Sequence, residues 1–523
     1  MLTAPNCIVH YLPVSVQLIL RSDYTIIILN KIRPRHQAMM DQEEFVTPAQ
    51  YSLPSSSAGQ ELTPLDLVTP ALYGTRWILC FPLSPEADKE QMLETTSPTY
   101  SRQLTDILAD FRICVSGWRI PSMLSHGSPE TLVQIVDSSS GGVTLRYNDL
   151  TSDLPSYGDL KQQRFPLEKL STAQLSPVGV MPEPPAPVMA AQANFIQGGL
   201  LLTVALHHTA GDASAFETIL SVWARNTAAG TSGSNDFATY DALSNDRSRL
   251  MQGTPPPSME SFPEYILRPE ENQQKIFSVD DKAPPPSGAA FQLPPMACRI
   301  FYFSGAKLAD LKQEASAYST NDALGAFLWC QMTAARNPSS SSSDLEGKVS
   351  AFAYAVNTRS RMSPPLPPTY LGNGSVGSMT DRLPVSELVA AGGQGGGNVK
   401  RAAAAIRKSL QRFESPSHVA ETVGLLASRA DPSDFKHAFH AFLGPDVVAS
   451  SWADVKVYDQ NWGGELGSPE LFRFPGDGAD GAIVVLPRHP GEDGLEVAMG
   501  LELGAMGRLL ESKEFQRFAE VRC

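Results

Sequence analysis

Cysteine is scarce in this chain. Six occur in 523 residues, Cys7, Cys80, Cys114, Cys298, Cys330 and Cys523. None forms a C-x-x-C pair or the short spacing of a zinc site, so neither a disulfide framework nor a metal centre is expected, and buried thiols in the reducing cytoplasm are. Basic clusters are lacking as well. Asp and Glu number 55 against 41 Lys and Arg, a formal net charge of -14, and no Lys/Arg stripe offers a footprint for a phosphate backbone. Nucleic acid is therefore not an expected partner. No stretch approaches the ~18 to 20 continuous apolar residues of a membrane-spanning helix. The G-x-S-x-G elbow of the serine hydrolases is absent too. Gly392 to Asn398 is glycine-rich but has neither the G-x-G-x-x-G register nor a Walker lysine, so it reads as a linker.

What is present describes an ordinary globular chain, 42% hydrophobic and 18% charged. Its length calls for two or three domains, and the strand and helix patterns that follow give two, both α/β. Residues 1 to 40 form an unassigned extension in which Met39 and Met40 offer alternative starts; with no basic n-region and no small-residue cleavage site, it does not resemble a signal peptide. A first domain spans 41–245. Arg76 to Pro82 reads as a strand, Leu104 to Phe111 as a helix, and Leu132 to Val136 with Val143 to Tyr147 as a hairpin. Residues 246–295, rich in proline, read as a crossover. The second domain, 296–523, opens on a strand at Arg299 to Phe303. It then gives helices at Ala306 to Ala317 and Asn321 to Cys330, the latter capped by Asp322 or Thr320, strands at Val349 to Val356, Ala482 to Leu486 and Leu495 to Met499, and one final helix from Gly504 to Val521.

The chemistry concentrates at Leu200 to Phe216. Leu200 to Leu206 is almost wholly apolar, as in a strand covered on both faces. Phe216, Ile219, Leu220 and Trp223 then recur at helical spacing, with Asp212 at the helix N-terminus. Strand alternation separates His207 from His208, so only one of them faces a given cleft. A neutral imidazole accepts a proton near neutral pH, and a carboxylate three residues further on can cap the helix and fix the turn that presents it. The plain alternative is a buried packing histidine beside a simple N-cap, which suits His207. A metal site of His207, His208 and Asp212 would need adjacent strand residues to converge. His418, His437, His440 and His489 read as surface or packing residues.

His208-x-x-x-Asp212 after a buried strand resembles the catalytic motif of the BAHD acyltransferases and their fungal relatives, the trichothecene 3-O-acetyltransferase-like enzymes. Further segments follow in the family's order. They are Leu62-Thr-Pro-Leu-Asp66, Asp322-Ala-Leu-x-Ala-x-Leu-Trp329, Arg359-Ser-Arg361 with Tyr370-Leu-Gly-Asn373, and Asp459-Gln-Asn-Trp-Gly463 in place of D-F-G-W-G. The resemblance covers roughly residues 60 to 520. It implies two chloramphenicol-acetyltransferase-like domains with a channel and the active site at their interface. It further implies acyl-CoA, chiefly acetyl-CoA, as cosubstrate, no permanently bound cofactor, a small-molecule alcohol as acceptor, and a monomeric enzyme of secondary metabolism. His208 is then the general base and Asp212 its support, with Arg359 or Arg361 pairing to Asp459 or Asp212, while Asp459, Trp462 and Gly463 are structural. Two alternatives share the motif: a condensation-type domain acting on carrier-tethered substrates, and a non-catalytic ligand-binding relative. The sequence departs from the family at Gly211, Ala213, Gln460 and Asn461. Ala213 is small enough to start the helix, and Asn461 tolerates a left-handed backbone better than most residues.

Overall fold

The computed structural model describes residues 43–46, 62–83, 143–181, 186–232, 238, 241–256, 258–268, 293–338, 342–390, 397–464, 466–476 and 478–523. Two mixed sheets organise it. Numbering strands along the chain, the first sheet contains β1 (Glu43–Val46), β2 (Thr75–Pro82), β3 (Val143–Asp149), β4 (Met189–Ile196), β5 (Gly199–Leu206) and β14 (Leu471–Arg473), in the spatial order β1-β3-β4-β5-β2-β14. The second contains β7 (Met296–Phe303), β9 (Phe352–Asn357), β10 (Ser375–Met379), β13 (Val447–Ser451), β15 (Ala482–Val485), β16 (Leu495–Glu502) and β17 (Glu520–Val521), in the order β10-β9-β13-β15-β16-β7-β17. Two short ribbons complete the pairing: β6 (Tyr265–Leu267) with β12 (Phe435–His437), and β8 (Val349–Ser350) with β11 (Leu383–Pro384).

β5 lies between β4 and β2, antiparallel to both, with Thr75 opposite Leu206 and Phe81 opposite Leu200. All eight of its residues are buried. That accounts for a sequence with no polar alternation: both faces are covered, so both select apolar side chains. The core around it draws Trp452, Val457, Trp462 and Phe472 from the second half of the chain. β14 likewise crosses over to extend the first sheet. A second core packs the Thr320–Arg336 helix against β7, β9 and β16, with Phe327, Trp329 and Cys330 fully enclosed.

Several local expectations need correction. The Thr320–Arg336 helix is capped by Ser319, whose hydroxyl accepts the N–H of Asp322, and Asp322 reciprocates in a capping box. The final helix is two, Leu503–Glu511 and Lys513–Phe518, because Ser512 stops the first and caps the second, and the chain then ends in β17. Part of the expected crossover is ordered: β6 pairs with β12, and Leu250 and Phe262 are buried in a third core with Leu65, Tyr370 and Phe435. Both edges of β3 are occupied, by β1 and β4. The strand expected to form a hairpin with it, 132–136, lies outside the described residues, as do the extension 1–40, the helix 104–111 and most of the glycine linker.

Candidate active site

Strand β5 stops at Leu206 and the Ala213–Thr231 helix begins seven residues later, so the intervening turn has to find partners for its own backbone. His207 donates its N–H to the Val188 carbonyl at 2.8 Å, and His208 donates to the Leu72 carbonyl at 2.9 Å. The two imidazoles then part. That of His207 is buried, 2.9 Å from the Thr209 hydroxyl and edge-on to Tyr73 with ring centres 5.1 Å apart. His208 is half-buried and lines a cavity of about 1090 Å³ between the two halves of the chain. Its Nδ1 is sealed from solvent and has no hydrogen-bond partner among the described residues. Gly211 answers a close approach: a Cβ there would lie 2.7 Å from the Leu371 carbonyl oxygen.

Asp212 also borders the cavity, and its carboxylate is engaged by five donor groups. Its Oδ1 accepts the Ala215 N–H at 3.0 Å, which caps the helix, and Arg359 Nη2 at 2.8 Å. Its Oδ2 accepts Arg359 Nη1 at 2.8 Å, the Gly374 N–H at 3.0 Å and the Ser375 hydroxyl at 2.9 Å. Burial raises the carboxyl's proton affinity, yet the Arg359 charge and these hydrogen bonds outweigh it and hold Asp212 below the ordinary carboxylate value. Arg359, only 4% exposed, is fixed in turn by the carbonyls of Tyr370 at 2.9 Å and Gly372 at 3.0 Å. The bidentate geometry fixes angle as well as distance. So the turn carrying His208 from the first half is clamped to the 357–375 segment of the second.

The other site residues fall elsewhere. Arg361 donates to the Phe413 carbonyl at 3.3 Å and does not reach either aspartate. Asp459 is exposed and forms no ion pair with Arg359 or Arg361. Trp462 is wholly enclosed against Phe81 and Trp223, with ring centres 5.7 and 5.3 Å away. Positive φ falls on Gly463 and Gly464, not on Asn461, whose side chain instead accepts the Gly463 N–H at 2.8 Å. Gln460 is buried and donates to the Glu217 carbonyl at 3.5 Å. This segment is thus packing material for the helix that follows Asp212.

Sequence reasoning missed three contributors. Ser375 and Gly374 bind Asp212 directly, and Asn373 donates Nδ2 to the His208 carbonyl at 2.9 Å. Glu217, one turn into the helix, also lines the cavity; burial raises its carboxyl's proton affinity, partly offset by the Lys456 N–H at 2.8 Å. Only its spacing, i+5 from Asp212 and i+4 from Ala213, hinted at it. His437 is a packing residue beside Tyr265 and Phe439, pushed down to about 4 chiefly by burial. Among the described residues no cluster of His, Cys, Asp or Glu is arranged to hold a metal ion, and no helix is long and apolar enough to cross a membrane.

The cavity is lined by apolar side chains, Ala355, Leu366, Val455, Val484 and Ala498 among them, and by polar ones that include Ser214 and Thr218 on the helix after Asp212 and Arg76, Ser450 and Asp454 elsewhere. Comparison with known proteins agrees with this construction. Residues 152–516 match the model of the Transferase family, and residues 73–226 match the trichothecene 3-O-acetyltransferase-like N-terminal domain. The chain is 29% identical over 488 residues to acyltransferase BOA11 of Botryotinia fuckeliana, covering 88% of this chain and 97% of that protein. It is also 29% identical over 489 residues to eremophilane O-acetyltransferase ORF8 of Penicillium roqueforti, covering 88% and 98%. The fold is similar to that of F. graminearum TRI101 complexed with coenzyme A and T-2 mycotoxin, with a TM-score of 0.68 at 19% identity over 89% of this chain and 100% of that one. The Transferase model spans well over half of the chain, and the protein belongs to that family as a BAHD-type, acyl-CoA-dependent O-acyltransferase acting on small-molecule hydroxyls, related to the fungal trichothecene and eremophilane O-acetyltransferases.

Proposed function

We propose that His208 is the general base of an acetyl transfer from acetyl-CoA to a hydroxyl on a bulky, largely apolar secondary metabolite, and that Asp212 holds His208 in place without touching the substrate. The observation that carries this is the contrast within one turn: an imidazole in the cavity wall, and four residues later a buried carboxylate wholly engaged by Arg359, Gly374, Ser375 and Ala215. With Nδ1 sealed, Nε2 is the nitrogen that takes the acceptor's proton. The acceptor oxygen then attacks the thioester carbonyl carbon, the tetrahedral intermediate collapses, the C–S bond breaks, and the departing thiolate recovers the proton from the imidazolium. No covalent bond to the enzyme forms.

A cytoplasmic, monomeric enzyme is part of the same proposal. The reducing location is supported by Cys80 and Cys330, which are free and buried. Incubating the chain with acetyl-CoA, longer acyl-CoA esters and a panel of mono-, bi- and tricyclic alcohols, with mass detection of the esters, tests the reaction. His208→Ala should lower turnover by ~10²- to 10⁴-fold while leaving the fold intact. Turnover close to wild type in that variant would remove His208 from the mechanism. Esters formed only from a carrier-bound acyl group, and never from free acyl-CoA, would overturn the donor assignment.

A further inference from the structure

We infer that the buried carboxylate of Asp66, acting through Asn373 and Arg247, is a second positioning device for His208, set at the opposite end of the turn from Asp212. The inference rests on the reading of His208 as the base. Asp66 belongs to the capping box of the short Pro64–Val68 helix, where its Oδ2 accepts the Thr63 N–H at 2.9 Å and the Thr63 hydroxyl at 2.8 Å. A helix of this length requires nothing more. Yet Oδ2 also accepts Arg247 Nη1, and Oδ1 accepts both the backbone N–H and Nδ2 of Asn373, each at 2.9 Å. These partners lie 181 and 307 residues away in sequence. All three side chains are buried, that of Asp66 completely.

Each partner has a hydrogen left over, and each spends it on the catalytic turn. The second Nδ2 hydrogen of Asn373 goes to the His208 carbonyl at 2.9 Å. Arg247 Nη2 donates to the Ala210 carbonyl at 3.0 Å. An amide group alone can rotate and an arginine can choose other carbonyls, but a fixed anion between them sets both directions at once. Burial works against the Arg247 charge, and the neighbouring Asp66 carboxylate more than offsets it, so the guanidinium keeps its charge. Asp212 grips the turn four residues beyond the base. Asp66, through Asn373, grips residue 208 itself. A displacement of ~1 Å at a reacting group costs on the order of 10²-fold in rate, so a contact to the base's own carbonyl is where such control is most effective.

The test compares Asn373→Ala and Asp66→Asn with Asp446→Asn in the full chain, using acetyl-CoA and the alcohol turned over fastest in the panel above. Asp446 is an equally buried carboxylate, bonded to Arg382 and to the N–H groups of Ala351 and His440, that touches no part of the turn. Asn373→Ala and Asp66→Asn should lower kcat ~10- to 100-fold with both KM values within about threefold of wild type, because substrate contacts survive while the base is misaligned. Asp446→Asn should lower the melting temperature and leave kcat unchanged. If Asp66→Asn does not fold, Asn373→Ala, which preserves the Asp66–Arg247 pair, decides alone. A folded Asn373→Ala enzyme with a kcat no lower than that of Asp446→Asn overturns the inference, provided His208→Ala is inactive. Retained turnover in His208→Ala would instead fail the underlying reading of the base.

Discussion

Two aspartates of this chain sit in motifs of similar legibility, and the structure treats them in opposite ways. Asp212 is 4% exposed and accepts five hydrogen bonds, two of them from a bidentate arginine from the other half of the molecule. Asp459 is exposed at the end of a single 3-10 turn and has no arginine partner among the described residues. The consequence is a division of labour. The 208–212 turn is held by polar contacts that fix direction, as the role proposed for His208 requires, whereas the 459–463 segment is held by an enclosed indole, which fixes volume and leaves direction loose. A spacing in sequence identifies both segments, but burial and pairing decide which one carries chemistry.

The largest effect that could break this contrast is Arg359→Ala. It strands a buried carboxylate and should cost about 3–5 kcal/mol of stability together with at least ~10²-fold in kcat, checked by chemical denaturation and steady-state kinetics. The loss should depend on pH in one direction. Because the folded-state pKa of Asp212 is depressed, its contribution is complete above the ordinary carboxylate value of ~4 and is lost as pH falls through the folded value, so the stability gap between wild type and Arg359→Ala should narrow in acid. Trp462→Ala comes next. Removing a fully enclosed indole should also cost about 3–5 kcal/mol, but kcat measured well below the melting temperature should fall by less than about tenfold. If Trp462→Ala abolishes turnover in folded protein while Arg359→Ala spares it, the roles assigned to the two segments are reversed.

The strand-to-helix junction was legible because everything that makes it lies within seventeen consecutive residues: a run buried on both faces, a turn, then helical spacing. Asp212 as the helix cap and the separation of His207 from His208 follow from that local grammar. What stayed hidden is what the turn is tied to. Asn373 and Arg247 share Asp66 across 307 and 181 residues, and no periodicity reports such a pairing. The choice of Arg359 over Arg361 is likewise set by the path of the chain, since Arg359 falls where the carbonyls of Tyr370 and Gly372 can receive it. β14 escaped notice because three residues are too few to show alternation, and its capture by the first sheet depends on the edge that β2 presents. At the C-terminus a continuous amphipathic pattern concealed a break, because Ser512 ends one helix and caps the next without disturbing the hydrophobic period.

The smallest expected effect sharpens the contrast most. Asp459→Asn removes the first residue of the second motif, the position whose charge would matter if that segment shared in the chemistry. An exposed aspartate without an arginine partner should change stability by no more than about 0.5 kcal/mol. Its influence on the cavity is electrostatic: its negative charge adds to the burial that raises the proton affinity of Glu217. The Asn variant should therefore let Glu217 ionise slightly more easily, a shift readable by carboxylate-sensitive NMR titration, with kcat unchanged. A tenfold loss of kcat in this variant would mean that the field at Glu217, and through it the 459–463 segment, does enter the reaction, and Asp459 would then have to be counted with Asp212.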